Sequence, residues 1–225
     1  MLVATPWYRI ALPLLRRCVR WSAVLALFLA CGGTIWTPLP PGMHLLEANR
    51  APWPQSKTDP YPESLAIVTG WQPAYDWGHG RAFIHMSPAA VWKAFQDPEV
   101  VADRHGTDSH SVQLNAEPVY PFSFRIHYEE SIVDWYENWR FGESDWLEDQ
   151  PQLALVRYQK TEGTSFIHLL EGSIIVGAVD GHADVAVVEL IFHLSAANSG
   201  VDQVVKTLNN QYSSVLAKVK GKPLP

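Results

Sequence analysis

Two side chains suited to proton transfer lie four residues apart in the sequence "ADVAVVELIFHLSA" (residues 183–196). If this segment is a strand, Glu189 and His193 share one face, because side chains alternate with a period of two. A carboxylate beside an imidazole can act as a general acid-base pair. The opposite face, from Ala186 to Leu194, is more uniformly apolar and is the better core candidate. We therefore treat Glu189 and His193 as weak catalytic candidates and favour a solvent-facing pair.

Basic side chains in two other predicted strands could bind an acidic group of a ligand. Arg157 lies in "LALVRYQKT" and Arg140 in "VDWYENWRFGE". A guanidinium offers a planar fork that matches carboxylate or phosphate. A surface position is the default for both arginines, because charged residues usually lie at the surface, and Arg157 is the predicted ligand contact of the two.

Other chemistries lack a recognisable pattern in this sequence. The loop "DRHGTDSH" (residues 103–110) is rich in Asp and His but matches no known metal-ligand spacing. We find no Ser-centred elbow, no phosphate-cradling glycine loop and no His-Glu-x-x-His motif. Both cysteines, Cys18 and Cys31, lie near the N-terminus, which excludes cysteine catalysis for the remainder. We predict neither a metal nor a cofactor.

Composition indicates a globular protein that does not bind nucleic acid. The 225 residues are 47% hydrophobic and 18% charged. The first 30 residues contain four arginines and no acid, and the remainder has 13 basic and 23 acidic side chains, a formal net charge of −10. Without a basic cluster, the body lacks the charges that neutralise phosphates.

The N-terminus has the layout of an export signal. Arginines precede the apolar run "SAVLALFLA", which is short for a membrane span, and "CGG" follows it. The sequence "FLAC" resembles a bacterial lipobox, although Phe28 and Leu29 depart from its usual residues. This resemblance predicts lipidation at Cys31. The alternatives are an uncleaved anchor over residues 21–36 and ordinary cleavage, and all three place the body outside the cytoplasm.

The predicted organisation is a signal or anchor at residues 1–30, a proline-rich tether at 31–77 and a domain at 78–225. Residues 37–77 contain eight of the 17 prolines, which favour extended structure. The alternative for the second half of this stretch is a folded flap that packs on the domain through aromatic side chains. Those side chains are Trp53, Tyr61, Trp71 and Trp77.

Regular elements begin at Gly78. Alternation predicts a strand in "GRAFIHMS", and Ser87 and Pro88 then begin a helix that presents Trp92 and Phe95 on one face. A second short helix follows Asp97-Pro98. Strand candidates separated by short turns fill the middle of the chain, which favours antiparallel pairing. They cover residues 109–115, 122–131, 133–143, 153–161, 165–179 and 183–196.

The strand "VDWYENWRFGE" opens an aromatic band that extends to Trp146. Consecutive Trp135 and Tyr136 must point to opposite faces, so one side is partly exposed. The band could form a cavity mouth, a partner surface or a membrane-facing rim. Packing is the favoured interpretation.

The strongest helix pattern closes the chain. Apolar residues recur at steps of three and four from Val201 to Val219, and about 20 residues span about 30 Å, enough to cross a sheet. Burying them would stabilise the fold by on the order of 10 to 20 kcal/mol before entropy is included. Those predicted to face a cavity are Val204, Leu208, Tyr212 and Val215.

The order of strand, two short helices, six strands and long helix resembles the START-like superfamily, also called SRPBCC, which includes polyketide cyclases and Bet v 1-like proteins. Its most specific local feature is "IHMSPAAVWKAFQDPE", within residues 84–99, and the resemblance covers residues 79–221. It implies an α+β helix-grip fold, in which a curved antiparallel sheet of about seven strands grips the C-terminal helix around an elongated apolar cavity. Apolar motifs of this kind identify a fold better than an activity.

The resemblance implies a hydrophobic small molecule or lipid as ligand. The predicted ligand-binding residues are Trp92, Phe95, Arg157, Val204, Leu208, Tyr212 and Val215. We therefore expect a binding protein at the cell envelope, on the periplasmic side, with its N-terminus anchored in the membrane. The alternatives are a cyclase or dehydratase that acts in the same cavity and an interaction module whose cavity is filled by its own side chains. The absence of a compelling acid-base constellation favours binding over catalysis.

Overall fold

The structure is a computed structural model that describes residues 43–143 and 154–225. The predicted signal at residues 1–30, Cys31 and Trp146 lie outside the described residues. The elements are β1 (Leu65–Gln72), β2 (Tyr75–Ile84), α1 (Pro88–Phe95), α2 (Pro98–Val101), β3 (Ser109–Leu114), β4 (Phe122–Glu130), β5 (Val133–Glu143), β6 (Ala154–Gly163), β7 (Ile167–Val179), β8 (His182–Ala196) and α3 (Val201–Val219). No helix in the described part of the chain is both long and apolar enough to cross a membrane.

All eight strands form one antiparallel sheet in the order β1-β2-β8-β7-β6-β5-β4-β3. After β2 the chain forms both short helices, continues at the far edge as β3, and returns strand by strand until β8 pairs with β2. This confirms the α+β helix-grip fold. The sheet has eight strands where about seven were expected, because β1 lies in the stretch interpreted as a tether.

Both short helices begin at the residues that the sequence indicated. The Ser87 hydroxyl accepts a hydrogen bond from the backbone N–H of Ala90, and Pro88 occupies the first helical position. Asp97 caps α2 by accepting from the N–H of Glu99 at 3.0 Å. These caps satisfy N–H groups that have no partner inside the helix.

The C-terminal helix α3 packs on β1, β2 and β8 and contacts both short helices. Val204, Leu208 and Val215 are fully buried in this interface. A side chain at Gly78 would place its Cβ 2.5 Å from Val204 and 2.8 Å from Leu208. The helix can therefore approach β2 closely because Gly78 has no side chain.

The face of the sheet toward α3, called the inner face below, holds the main core. Its strands contribute alternate apolar residues, as the period of two requires. In β8 these are Ala186, Val188, Leu190, Phe192 and Leu194, which confirms the apolar face as the core face. The opposite, outer face carries the polar alternation, including Glu189 and His193.

Residues 43–64 cover the outer face. The Asn49 side-chain amide donates to the carbonyl of Gly80 at 2.8 Å, and Trp53 stacks on Phe83 with ring centroids 5.1 Å apart. Ala51 is 1% exposed. The described part of the predicted 31–77 tether therefore packs on the sheet or joins it, because its polar and aromatic side chains find partners on the outer face. Trp53 and Tyr61 both contact Phe83, as expected for the folded-flap alternative. Trp71, in contrast, is 74% exposed.

Candidate functional site

A cavity of about 470 Å³ lies between α3 and the inner face of β4 to β8. Its sheet wall is aromatic and comprises Tyr128, Trp135, Trp139, Tyr158 and Phe192. Its helix wall is more polar and includes Gln203, Thr207, Gln211 and Ser214. The loop after α2 adds Asp103, Arg104 and His105 to the lining. The cavity thus combines an apolar sheet wall with polar groups from the helix and the loop.

The most unusual group in the cavity wall is the carboxyl of Glu137. Glu137 is 6% exposed, and the indole N–H groups of two flanking tryptophans donate to its two oxygens. Trp135 Nε1 lies 2.8 Å from Oε1, and Trp139 Nε1 lies 3.2 Å from Oε2. The register of β5 against β6 shifts between Tyr136 and Glu137. Such bulges change where side chains point and are common beside functional sites.

Burial raises the pKa of Glu137 to about 7. The indole hydrogen bonds act in the opposite direction, because they stabilise the ionised carboxylate, and the negative charge of Asp103 raises the pKa further. In the register of β5 and β6, Glu137 lies opposite Lys160, which is 2% exposed. A carboxyl whose pKa lies near neutral pH suits proton exchange or binding of a polar ligand group.

Stacked aromatic pairs stand on both sides of this carboxyl. Tyr128 stacks on Trp135 with ring centroids 4.9 Å apart, and Trp139 stacks on Tyr158 at 4.0 Å. Each tryptophan thus holds its N–H toward Glu137 while a tyrosine ring supports one of its faces. Because the aromatic partners fix the tryptophans, the two donors are preorganised.

The helix contributes a polar group with unused hydrogen-bonding capacity. Gln211 donates from Nε2 to the hydroxyl of Tyr158 at 3.0 Å. Its Oε1 is buried and has no hydrogen-bond partner among the described residues. Gly172 lies behind Tyr158, and a Cβ on Gly172 would come within 2.1 Å of the tyrosine ring. Because Tyr158 contacts Gln211 through Nε2, a ligand donor could bind Gln211 Oε1 without displacing the tyrosine.

The helix residues predicted to face the cavity lie beside it instead. Val204, Leu208, Tyr212 and Val215 belong to the core cluster, and none of them lines the cavity. The lining comes from their neighbours on the adjacent polar stripe of α3. A helix stripe that is apolar enough to be recognised in sequence packs against the sheet, so the space beside it is bounded by less apolar residues.

The two predicted aromatic contacts from α1 are also outside the cavity wall. Phe95 is fully buried in the core, and Trp92 meets Phe141 edge to face with ring centroids 5.5 Å apart. They join α1 to the sheet and to the core.

The predicted polar residues lie on the outer face, where Glu189 and His193 have different partners. Arg81 donates to Glu189 at 3.1 Å, whereas His193 Nδ1 lies 3.3 Å from Glu171. Arg157, 2% exposed, lies 3.5 Å from Glu171, and burial lowers its pKa. All three predicted residues are therefore separated from the inner cavity by the sheet.

A cluster on the outer face, formed by Glu47, His79 and His193, has ligand atoms close enough to hold a metal, all within 4.8 Å of one another. The backbone N–H of Arg50, however, donates to His79 Nδ1 at 3.0 Å, so the ring proton is on Nε2. His79 Nε2 therefore donates to Glu47 at 2.5 Å and has no free lone pair for a metal. We interpret the cluster as a hydrogen-bonded clamp on the segment 43–64.

Sequence reasoning missed Glu137, although a local signal was present. In "DWYENW", Trp135, Glu137 and Trp139 alternate and must share one face of the strand. A carboxylate flanked by tryptophans at i−2 and i+2 has two potential N–H donors beside it. Recognising the site also required knowing which face is inner, and that follows from the tertiary structure.

Comparisons of the sequence with known proteins assign the chain to no family. No protein-family model and no curated protein matches the chain. Among solved structures, it is similar to a STAR-related lipid transfer protein from Xanthomonas axonopodis, at 11% identity and a TM-score of 0.48 over 71% of this chain and 95% of that chain. It is also similar to the Zhui aromatase/cyclase from Streptomyces sp. R1128, at 12% identity and a TM-score of 0.42 over 70% and 94%.

A third similar structure is Ara h 8.0201, at 13% identity and a TM-score of 0.43 over 69% of this chain and 99% of that chain. These likenesses concern the course of the chain only. The strand order, the two short helices and α3 on the inner face are features of the chain itself. By these features, the described chain has the helix-grip fold of START-like domains.

Proposed function

We propose that this domain binds a hydrophobic small molecule or lipid in the cavity between α3 and the inner face. The observation that supports the proposal is the cavity itself, about 470 Å³ in volume and walled on the sheet side by aromatic rings. Small-molecule sites typically have volumes of roughly 300 to 1,000 Å³, apolar walls and a few oriented polar groups. Here those polar groups are Glu137 and Gln211.

The unusual polarity of the wall also favours a binding role. Burying a carboxyl costs free energy, so a buried carboxyl at a cavity wall is a candidate functional group. A domain selected only for stability would replace Glu137 by an apolar residue, because its neighbours on the strand face are large aromatic side chains. We therefore infer that the ligand uses this carboxyl.

Native mass spectrometry of the purified full chain tests the proposal. After incubation with a lipid extract, we expect added mass on the wild-type chain. Thr207→Trp places a large side chain in the cavity wall and should abolish the adduct. Asn209→Trp, on the exposed side of the same helix, should retain it. A clean apo mass for all three chains would refute the carrier and favour an interaction module.

The proposal includes export and anchoring by a lipid at Cys31. It is supported by the arginines and the short apolar run that precede "CGG". Anchoring would place the domain at the cell envelope, on the periplasmic side. Cys31→Ser should release the protein from the membrane fraction, and continued membrane retention would argue against lipidation.

A second candidate function, a cyclase- or dehydratase-type enzyme, is favoured by the pKa of about 7 at Glu137. A general acid or base is most effective when its pKa lies near the working pH. If the bound ligand is turned over, Glu137→Gln should stop turnover and retain binding. Unchanged turnover in that variant would exclude Glu137 as the catalytic group.

A further inference from the structure

The charge and surroundings of Glu137 indicate the chemical class of the ligand. We propose that the ligand carries a cationic nitrogen, such as an ammonium group, which binds the Glu137 carboxylate within the aromatic wall of the cavity. This inference rests on the proposed binding function and specifies the ligand for that same site. It follows from three features: the hydrogen bonds at the carboxyl, the charges around it and the rings beside it.

The hydrogen bonds at Glu137 leave capacity for a donor. An ionised carboxylate accepts about four hydrogen bonds. The indoles of Trp135 and Trp139 supply one to each oxygen, and the residue lines the cavity. A ligand ammonium has three N–H donors and can supply more. Both indoles are donors only, so their hydrogen bonds stabilise the ionised form of the carboxyl, against the effect of burial.

The charge that acts on the pKa of Glu137 is negative. Asp103, from the loop after α2, raises its pKa, and the hydroxyls of Tyr128 and Tyr158 face it from β4 and β6. The helix α3 contributes the uncharged amide of Gln211 at Tyr158. Arg104 and Lys206 also line the cavity, and Arg104 donates to Ser214 at 3.3 Å. Lys160, which is 2% exposed, lies opposite Glu137 in the register of β5 and β6. Because the charge that acts on the pKa of Glu137 is the negative one of Asp103, a ligand cation would stabilise the ionised carboxylate.

The aromatic rings favour a cation over an anion or a neutral group. Ring faces carry partial negative charge and attract ammonium groups, most strongly where water is excluded. Tyr128, Trp135, Trp139 and Tyr158 all line the cavity beside Glu137. An anionic head group would meet repulsion from both the rings and the carboxylate.

The competing ligand chemistry is a neutral one. If Glu137 is protonated in the complex, its O–H would donate to a carbonyl or hydroxyl of the ligand. Burial raises the pKa of Glu137, which favours this protonated form in the free protein. A bound cation would lower the pKa and favour the ionised form. The two chemistries therefore predict opposite effects of pH on affinity.

Three probes of matched size distinguish these chemistries: 4-phenylbutylamine, 4-phenylbutanol and 4-phenylbutyrate. Their affinities are measured by calorimetric titration of the purified full chain at pH 8. We expect the amine to bind more tightly than the alcohol and the acid, on the order of tenfold. In Glu137→Gln the preference should disappear while the alcohol binds as before. Glu162→Gln removes an exposed carboxyl outside the cavity and should keep the preference.

A measurement on the wild-type chain avoids any folding defect of the variant. Between pH 6 and pH 8 the amine remains charged while Glu137 ionises, so its affinity should rise, and that of the alcohol should not. If the alcohol or the acid binds as tightly as the amine at pH 8, the cationic inference is overturned and cavity binding stands. If no probe binds, the inference is overturned, and an apo mass after lipid incubation would overturn the binding function as well.

Discussion

Glu47 accepts a hydrogen bond from Nε2 of His79 at 2.5 Å, which joins the N-terminal segment to the outer face of the sheet. His79 is fully buried, and burial lowers its pKa. At Glu47, burial acts to raise the pKa, but the hydrogen bonds and charges of His193 and His79 outweigh it, so the pKa is lowered. This clamp explains why a proline-rich segment is held in place without belonging to a strand.

Replacing Glu47 should release part of this clamp. We expect Glu47→Gln to lower the free energy of unfolding at pH 7 by about 1 kcal/mol, because the hydrogen bond from His79 to a charged carboxylate is replaced by a weaker one to a neutral amide. Urea unfolding measures the change. Asp180→Asn, in the exposed turn between β7 and β8, is the matched control and should leave stability unchanged. Equal stability of Glu47→Gln and wild type would show that the clamp does not hold the segment.

The pH dependence of stability should reveal the buried acid at Glu137. Its pKa rises from 4.5 to about 7 on folding, so between these values the folded chain binds more protons than the unfolded chain. The contribution of Glu137 to stability is therefore fully present below pH 4.5 and is lost as pH rises through 7. The loss amounts to at most about 3 kcal/mol.

Urea unfolding of wild type and Glu137→Gln at pH 5, 6, 7 and 8 isolates this contribution, because groups outside the site titrate in both chains. The difference in unfolding free energy should shift in favour of the variant as pH rises. Parallel pH profiles would mean that the pKa of Glu137 is close to its ordinary value.

Removing one indole donor should raise the pKa of Glu137 further. Trp135→Phe keeps a ring in the wall but removes the N–H that lies 2.8 Å from Oε1 and stabilises the carboxylate. Carbon NMR of labelled glutamate side chains follows the titration directly. Trp71→Phe, at a position that is 74% exposed, should leave the titration unchanged. A pKa that stays the same or falls in Trp135→Phe would contradict the assigned role of the indole.

A side chain at Gly78 should force α3 away from the sheet. The Cβ of Gly78→Ala would lie within 2.8 Å of both Val204 and Leu208, which are fully buried. We expect destabilisation by about 1 to 3 kcal/mol, as is typical of overpacking. Gly142→Ala is the control, because a Cβ there would meet only Met43 at the ordinary contact distance of 3.5 Å. Calorimetric melting of the Gly78 and Gly142 variants should therefore separate them, and equal Tm values would refute the close approach.

Much of the fold could be predicted from the sequence because its signals are local. Ser87 and Asp97 mark the helix starts through their own capping hydrogen bonds, and the apolar steps of α3 specify a buried helix. The alternation in β8 identified the core face. The strand β1 was not predicted, because the prolines around it suggested an extended tether. In the structure β1 pairs antiparallel with β2 and forms the edge of the sheet.

The candidate site depended on relationships across the sheet. Sequence reasoning selected Glu189 and His193 because they are polar residues on one strand, but the sheet turns both toward the outer face, with His193 beside Glu171. The same strand alternation puts Glu137 on the inner face between two tryptophans. Which of these carboxylates borders a cavity depends on the face against which α3 packs.

The sequence by itself determined the helix-grip elements and the core stripe of α3, since capping and periodic burial act between residues near one another in the chain. Only the tertiary structure decided that the cavity lies beside that stripe and that Glu137 is its buried acid. The physical reason is that a pKa near 7 requires exclusion of water by strands and a helix far apart in sequence.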